Sequence, residues 1–147
     1  MAVWQFDIEL ISASAPPPVV TDDLYETVPL SELSVARATN YLTQHFGPPW
    51  EMLPGWLVFG EENGHRFDVH IDDGGSGSIR ARVDARVYAG HVLPRVRELA
   101  ELLGCRLYVP ELNVSVEPTK SELERAIRES TAARFVQDPQ RFFEELS

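Results

Sequence analysis

The run Ser78-Ile79-Arg80-Ala81-Arg82-Val83-Asp84-Ala85-Arg86-Val87 constrains the fold more than any other stretch of the chain. Every second residue in it is apolar, and all but one of the others are charged. Side chains alternate between the two faces of a strand, so the pattern predicts a strand buried on one side only. Ile79, Ala81, Val83 and Ala85 point at a core, and Arg80, Arg82, Asp84 and Arg86 point at water. Residues 3–12 repeat the device, with Trp4, Phe6, Ile8 and Leu10 on one face and Gln5, Asp7 and Glu9 on the other.

Two more strands are predicted ahead of that run. Asn63-Gly64 separates Trp56–Glu61 from Arg66–Asp72 and is a strong signal for a two-residue hairpin turn, because both residues tolerate positive φ. With that turn, Gly60, Val58 and Trp56 face Phe67, Val69 and Ile71, and Glu61 faces Arg66. Asp73-Gly74-Gly75-Ser76-Gly77 is a flexible connection to the next strand. A five-residue loop there sets Asp68 opposite Arg82 and Arg66 opposite Asp84, two charge-complementary pairs.

Helices flank this meander. Leu33, Ala36 or Arg37, Ala38, Tyr41, Leu42, His45 and Phe46 keep a 3.6-residue period within 30–46. Ser31 or Ser34 caps the start, and Gly47 followed by Pro48-Pro49 ends it. Val92, Val96, Leu99, Ala100 and Leu103 form a second stripe, closed by Gly104 and followed by a short strand, Cys105 to Val109. Residues 119–147 read as C-terminal helices, one carrying Leu123, Ala126 and Ile127, another opening at Asp138-Pro139 with Phe142, Phe143 and Leu146. Residues 13–29, with Pro16-Pro17-Pro18, read as a proline-rich surface linker. The expected order is β-α-β-β-β-α-β-α-α: one α+β domain over 1–147, a mostly antiparallel sheet with helices on one face, a ferredoxin-like variant.

Charge narrows the partners. The 13 Lys+Arg against 23 Asp+Glu give a formal charge of −10, which disfavours nucleic acid and anionic membranes and attracts a basic protein. One cysteine, Cys105, allows no internal disulfide. Met1 to Asp7 lacks a basic region followed by an apolar core, so no signal peptide is expected, and no apolar run nears the roughly 20 residues of a membrane span, so a cytoplasmic location is expected.

Candidate sites are few. Asp68, His70 and Asp72 share one strand face and are the metal-ligand candidates, but Arg66, Arg80, Arg82 and Arg86 on that face favour a solvated ion-pair lattice instead. The histidines His45, His65, His70 and His91 show no metal or protease spacing. Gly74-Gly75-Ser76-Gly77 lacks the Lys and Ser/Thr of a phosphate loop. No catalytic residue and no cofactor is expected. The strand 56–61 is apolar on both faces, its outer set being Leu57 and Phe59. Either the C-terminal helices cover that outer face through Leu123, Ile127, Phe135, Phe142 and Phe143, or it is an exposed patch for a partner. Leu57, Phe59 and Trp50 are the partner-binding candidates.

The strands Trp56–Gly60, Arg66–Val69 and Ile79–Arg86, followed by a helix and Leu103-Gly104-Cys105, resemble small single-domain bacterial proteins, some of them similar to immunity proteins of toxin systems. The resemblance covers roughly residues 50–110. It implies a cytosolic, non-enzymatic, binding-only role, and no site residue carries over because toxin contacts vary in such families. Three readings follow: a protein-binding module, immunity-like, for a basic toxin; a small enzyme or ligand-binding domain with its site between sheet and helices; and a structural homo-oligomer.

Overall fold

A computed structural model describes residues 4–22, 24–86 and 89–137. Its centre is a sheet built from seven strands in the order β4-β5-β6-β7-β1-β8-β9, with every pairing antiparallel. The strands are β1 (Gln5–Ser12), β4 (Trp50–Leu53), β5 (Trp56–Gly60), β6 (Arg66–Ile71), β7 (Gly77–Asp84), β8 (Cys105–Val109) and β9 (Val114–Val116). Two short strands, β2 (Val19–Thr21) and β3 (Leu24–Glu26), form a separate hairpin. The helices are α1 (Glu32–Phe46), α2 (Leu93–Leu103), α3 (Lys120–Arg128) and α4 (Thr131–Gln137). The α+β class with a mostly antiparallel sheet is as the alternating runs predict. The expected order is corrected by four further strands, β2, β3, β4 and β9.

One face of the sheet carries Phe59, Phe67, Val69, Ile79, Ala81, Ile8, Leu10 and Leu107, all buried. Val35, Ala38 and Leu42 of α1 and Val96, Leu99 and Ala100 of α2 close over it. α1 lies against β5, β6 and β7, and α2 lies against β8. Leu33, expected in the buried stripe of α1, is 61% exposed, because the helix turns Val35 inward instead. The caps are where the residue types put them. The Ser31 side chain accepts a hydrogen bond from the Ser34 backbone N–H at 3.2 Å, and Gly104 closes α2 at φ 65°. Ser31→Ala is expected to destabilise the fold by about 1 kcal/mol, read as a shift in denaturant midpoint at constant m-value.

The β5–β6 register differs from the expected one by a single residue. Phe59 faces Phe67, Val58 faces Asp68, and Trp56 faces His70. Asn63-Gly64 does not form the two-residue turn: neither residue takes positive φ, and Gly60 does so instead at 101°. A Cβ on Gly60 would sit 2.6 Å from the His65 carbonyl oxygen, so the strand ends on a glycine and Glu61 to His65 form a longer loop. One slipped residue exchanges the faces. Leu57 and Phe59 therefore face the helices, and Trp56 and Val58 face away. Among the described residues it is α1, and not α3 or α4, that lies against the strand of Leu57 and Phe59.

The β6–β7 pairing keeps the expected faces but moves by two residues, so Asp68 faces Arg80 and Arg66 faces Arg82. The connecting loop is 72–76, one residue earlier than expected, with Gly74 and Gly75 supplying its positive φ values. The linker expectation for 13–29 is also corrected, since Val20 pairs with Tyr25 in the β2–β3 hairpin. The predicted helix opening at Asp138-Pro139, with Phe142, Phe143 and Leu146, lies outside the described residues. Among the described residues, no helix is long and apolar enough to cross a membrane.

Candidate binding cleft

The face of the sheet away from the helices was expected to be wet. It carries one row of side chains across all seven strands: Trp50, Val58, Asp68, Arg80, Glu9, Tyr108 and Ser115. Beside it run Gly60, Arg66, Arg82 and Asp7. Four of the charges on this face are enclosed rather than solvated as predicted, while Arg80 and Arg86 stay partly open. Glu9 and Asp68 are each 4% exposed, Arg66 5% and Asp84 2%.

Arg86 holds the Asp84 carboxylate, and two sets of contacts enclose the other three. Arg66 reaches along its own strand, setting Nε 2.9 Å from Asp68 Oδ1 and donating from Nη2 to Oδ2 at 3.0 Å. Trp56 Nε1, brought to this face by the register, donates to the same Oδ2 at 3.1 Å. The second set comes from the hairpin. Tyr25 Oη donates to Glu9 Oε1 at 3.2 Å and Thr27 Oγ1 donates to Oε2 at 2.8 Å. Arg80 Nη2 donates to Tyr25 Oη at 2.5 Å, and the Tyr25 ring packs on Tyr108 at 5.2 Å between centroids. The hairpin is thus pinned across the sheet by a tyrosine that stacks, donates and accepts at once.

This packing moves the titrations. Burial, then the Glu9 carboxylate, pushes the Tyr25 phenol up to about 12. Burial, then Glu9, also raises Tyr108. Burial draws the Arg80 guanidinium down, but Tyr25, Asp7 and Glu9 outweigh it and hold Arg80 above its ordinary value. For Tyr25 the folded pKa lies above the unfolded value of 10.0, so its share of stability is intact below that value and fades as pH climbs through about 12. Raising the pH from neutral to about 11 is expected to lower the urea midpoint more in the parent chain than in a Tyr25→Phe variant.

Between hairpin and sheet lies a cleft of about 590 Å³. Asp7, Arg80, Arg82 and Tyr108 contribute from the sheet, and Val20, Leu24 and Tyr25 from the hairpin. Pro110, Glu111 and Asn113 close its end, with Asn113 Oδ1 accepting from Tyr108 Oη at 2.8 Å. Arg82 Nε donates to Asp7 Oδ1 at 3.3 Å.

The metal-ligand candidates are not assembled. Asp68 is engaged by Arg66 and Trp56, His70 stacks on Trp56 at 4.9 Å, and Asp72 lies in the following loop. Among the described residues, no group of three or more His, Cys, Asp or Glu is placed to hold a metal. Of the partner-binding candidates, Phe59 is 1% exposed and Leu57 packs against the core. Only Trp50, on the edge strand β4, is open to solvent, at 38%. Cys105 is buried, and burial pushes its thiol up to about 11. Sequence reasoning missed Tyr25, Thr27 and Tyr108. The signal was present in Val19-Val20-Thr21 and Leu24-Tyr25-Glu26, two short β-prone runs flanking Asp22-Asp23, directly after the prolines. No family model, curated protein or solved structure matches this chain.

Proposed function

We propose that the chain is a non-enzymatic protein-binding module that holds a basic partner on the β2–β3 hairpin and the mouth of the cleft beneath it. One observation carries the reading. The hairpin presents Val19 and Leu24 to solvent, Leu24 at 73% exposure, on the face opposite Val20 and Tyr25, and Tyr25 pins it to the sheet. An apolar cluster held on an anchored hairpin is already ordered before it binds, which lowers the cost of association. The charge of −10 steers a basic partner toward it. A cytosolic, immunity-like inhibitor of a basic toxin is the form of this reading that the charge suits best.

Titration of the purified chain with the protein encoded beside it tests the proposal. A one-to-one complex that weakens at high salt and is lost in Leu24→Asp is the expected result. A complex indifferent to both salt and Leu24 contradicts it. A second reading, a small-ligand domain, draws support from the converging polar groups of the cleft, though the cleft lies on the opposite side of the sheet from the helices. On fold, we relate the piece β7-α2-β8, whose strands run parallel on either side of β1, to a ferredoxin-like pattern. Such scaffolds host many activities, so the relation adds nothing to function.

A further inference from the structure

The floor of the cleft differs in charge from the molecule as a whole. On this sheet face three guanidinium groups, Arg66, Arg80 and Arg82, stand with three carboxylates, Asp7, Glu9 and Asp68, and of these Asp7, Arg80 and Arg82 line the cleft. The surface is locally neutral in a chain of −10.

The three arginines are not equally committed. Arg66 is spent on Asp68, with Nη1 also donating to the Glu62 carbonyl at 3.1 Å. Arg80 is held by Tyr25 at 2.5 Å and lies 3.6 Å from Glu9 and 4.0 Å from Asp7. Arg82 uses only Nε, toward Asp7. Among the described residues, no hydrogen bond engages its two terminal Nη atoms. Its side chain lines the cleft at 20% exposure.

The register also sets Arg82 directly opposite Arg66. Like charges in that position are ordinarily unfavourable. Here the Arg66 charge is met by Asp68, and the Arg82 charge only by Asp7, which Arg80 shares at longer range. A planar fork with two open donors is the group best matched to a carboxylate. A doubly charged phosphate is a poorer match, because Asp7 and Glu111 stand around the same space. Val20 and Leu24 line the cleft with the Tyr108 ring, so an apolar group beside the carboxylate has a surface to cover.

We infer that the cleft takes a single carboxylate carried next to an apolar group, with the Arg82 fork as its anchor. This rests on the reading of hairpin and cleft as the partner-binding surface, and it names what the partner inserts there: a C-terminal carboxylate or an acidic side chain beside an apolar residue.

N-acetyl-leucine is the minimal probe, with N-acetyl-leucinamide as its uncharged control. In an NMR titration of the whole chain, the acid is expected to shift the Arg82 Nε–H, Tyr25 and Tyr108 signals saturably. The amide is expected to bind at least about ten-fold more weakly, as is the acid toward Arg82→Gln. Arg82→Lys keeps the charge and the ion pair with Asp7 while losing the fork, and it is expected to be weakened as well. Two peptides separate the sources, one with a free C-terminus and no acidic side chain, the other amidated with an internal glutamate beside leucine.

Equal binding of acid and amide, no saturable shift with the acid, or unchanged binding by Arg82→Gln would overturn the inference. Comparison with the partner complex keeps the two claims separate. If the adjacent gene's product binds Arg82→Gln normally but not Leu24→Asp, the carboxylate site fails and the binding-module reading stands. If the acid binds as described but no complex forms, the reading fails and the site stands.

Discussion

Asp68→Ala is expected to destabilise the fold by about 3–5 kcal/mol, the penalty of leaving one partner of a buried ion pair uncompensated. Asp68 and Arg66 are almost fully enclosed, and the Asp68 carboxylate also accepts from Trp56 Nε1. Alanine leaves a guanidinium without its counter-charge and an indole N–H without its acceptor. The same substitution on a wet, ion-paired strand face would cost about 1 kcal/mol or less. Urea unfolding therefore distinguishes an enclosed lattice from a solvated one. A second variant isolates the cause: with Arg66→Met added to Asp68→Leu, no charge is stranded, and most of the lost stability is expected to return.

Phe59→Ala is expected to cost a similar 3–5 kcal/mol, because its ring is lost from beneath α1 and the cavity closes only in part. The value depends on register. Had Asn63-Gly64 made the tight turn its sequence advertises, Phe59 would lie on the other face, away from Phe67 and the helix. Phe67 packs against Phe46 of α1, with ring centroids 5.4 Å apart, so both strands meet the helix at this level. A loss below about 0.5 kcal/mol, the usual size for a surface position, would place Phe59 outside the core and return the strands to the other register.

The sequence was legible where local pattern and tertiary packing agree. Ile79, Ala81 and Val83 alternate with arginines and are buried against the helices as the period demands. Ser31, Gly47 and Gly104 cap helices because each offers what a helix end lacks: an acceptor at the start, or a backbone free to turn left at the end. Legibility failed where a decision rested on one residue of conformation. Asn63-Gly64 and Gly60 both offered a place to turn, and only the close approach of Gly60 to His65 decided between them.

The candidate cleft was least legible. Its walls come from Tyr25, Arg80 and Tyr108, residues separated by long stretches of chain, and no local period reports that a hairpin folds back over a polar sheet face. The same blindness made buried charges look solvated. Glu9, Arg66 and Asp68 carry the residue types of a wet face, and only the added tyrosine, threonine and tryptophan contacts reveal that they are enclosed.

The docking of the β2–β3 hairpin on the sheet through Tyr25 underlies the burial, the cleft and the proposed binding surface alike. Nuclear Overhauser contacts between the ring protons of Tyr25 and Tyr108, whose centroids lie 5.2 Å apart, measure it directly. Strong cross-peaks between the two rings are predicted. Tyr25 ring signals at free-chain positions, with no contact to Tyr108, would contradict the account.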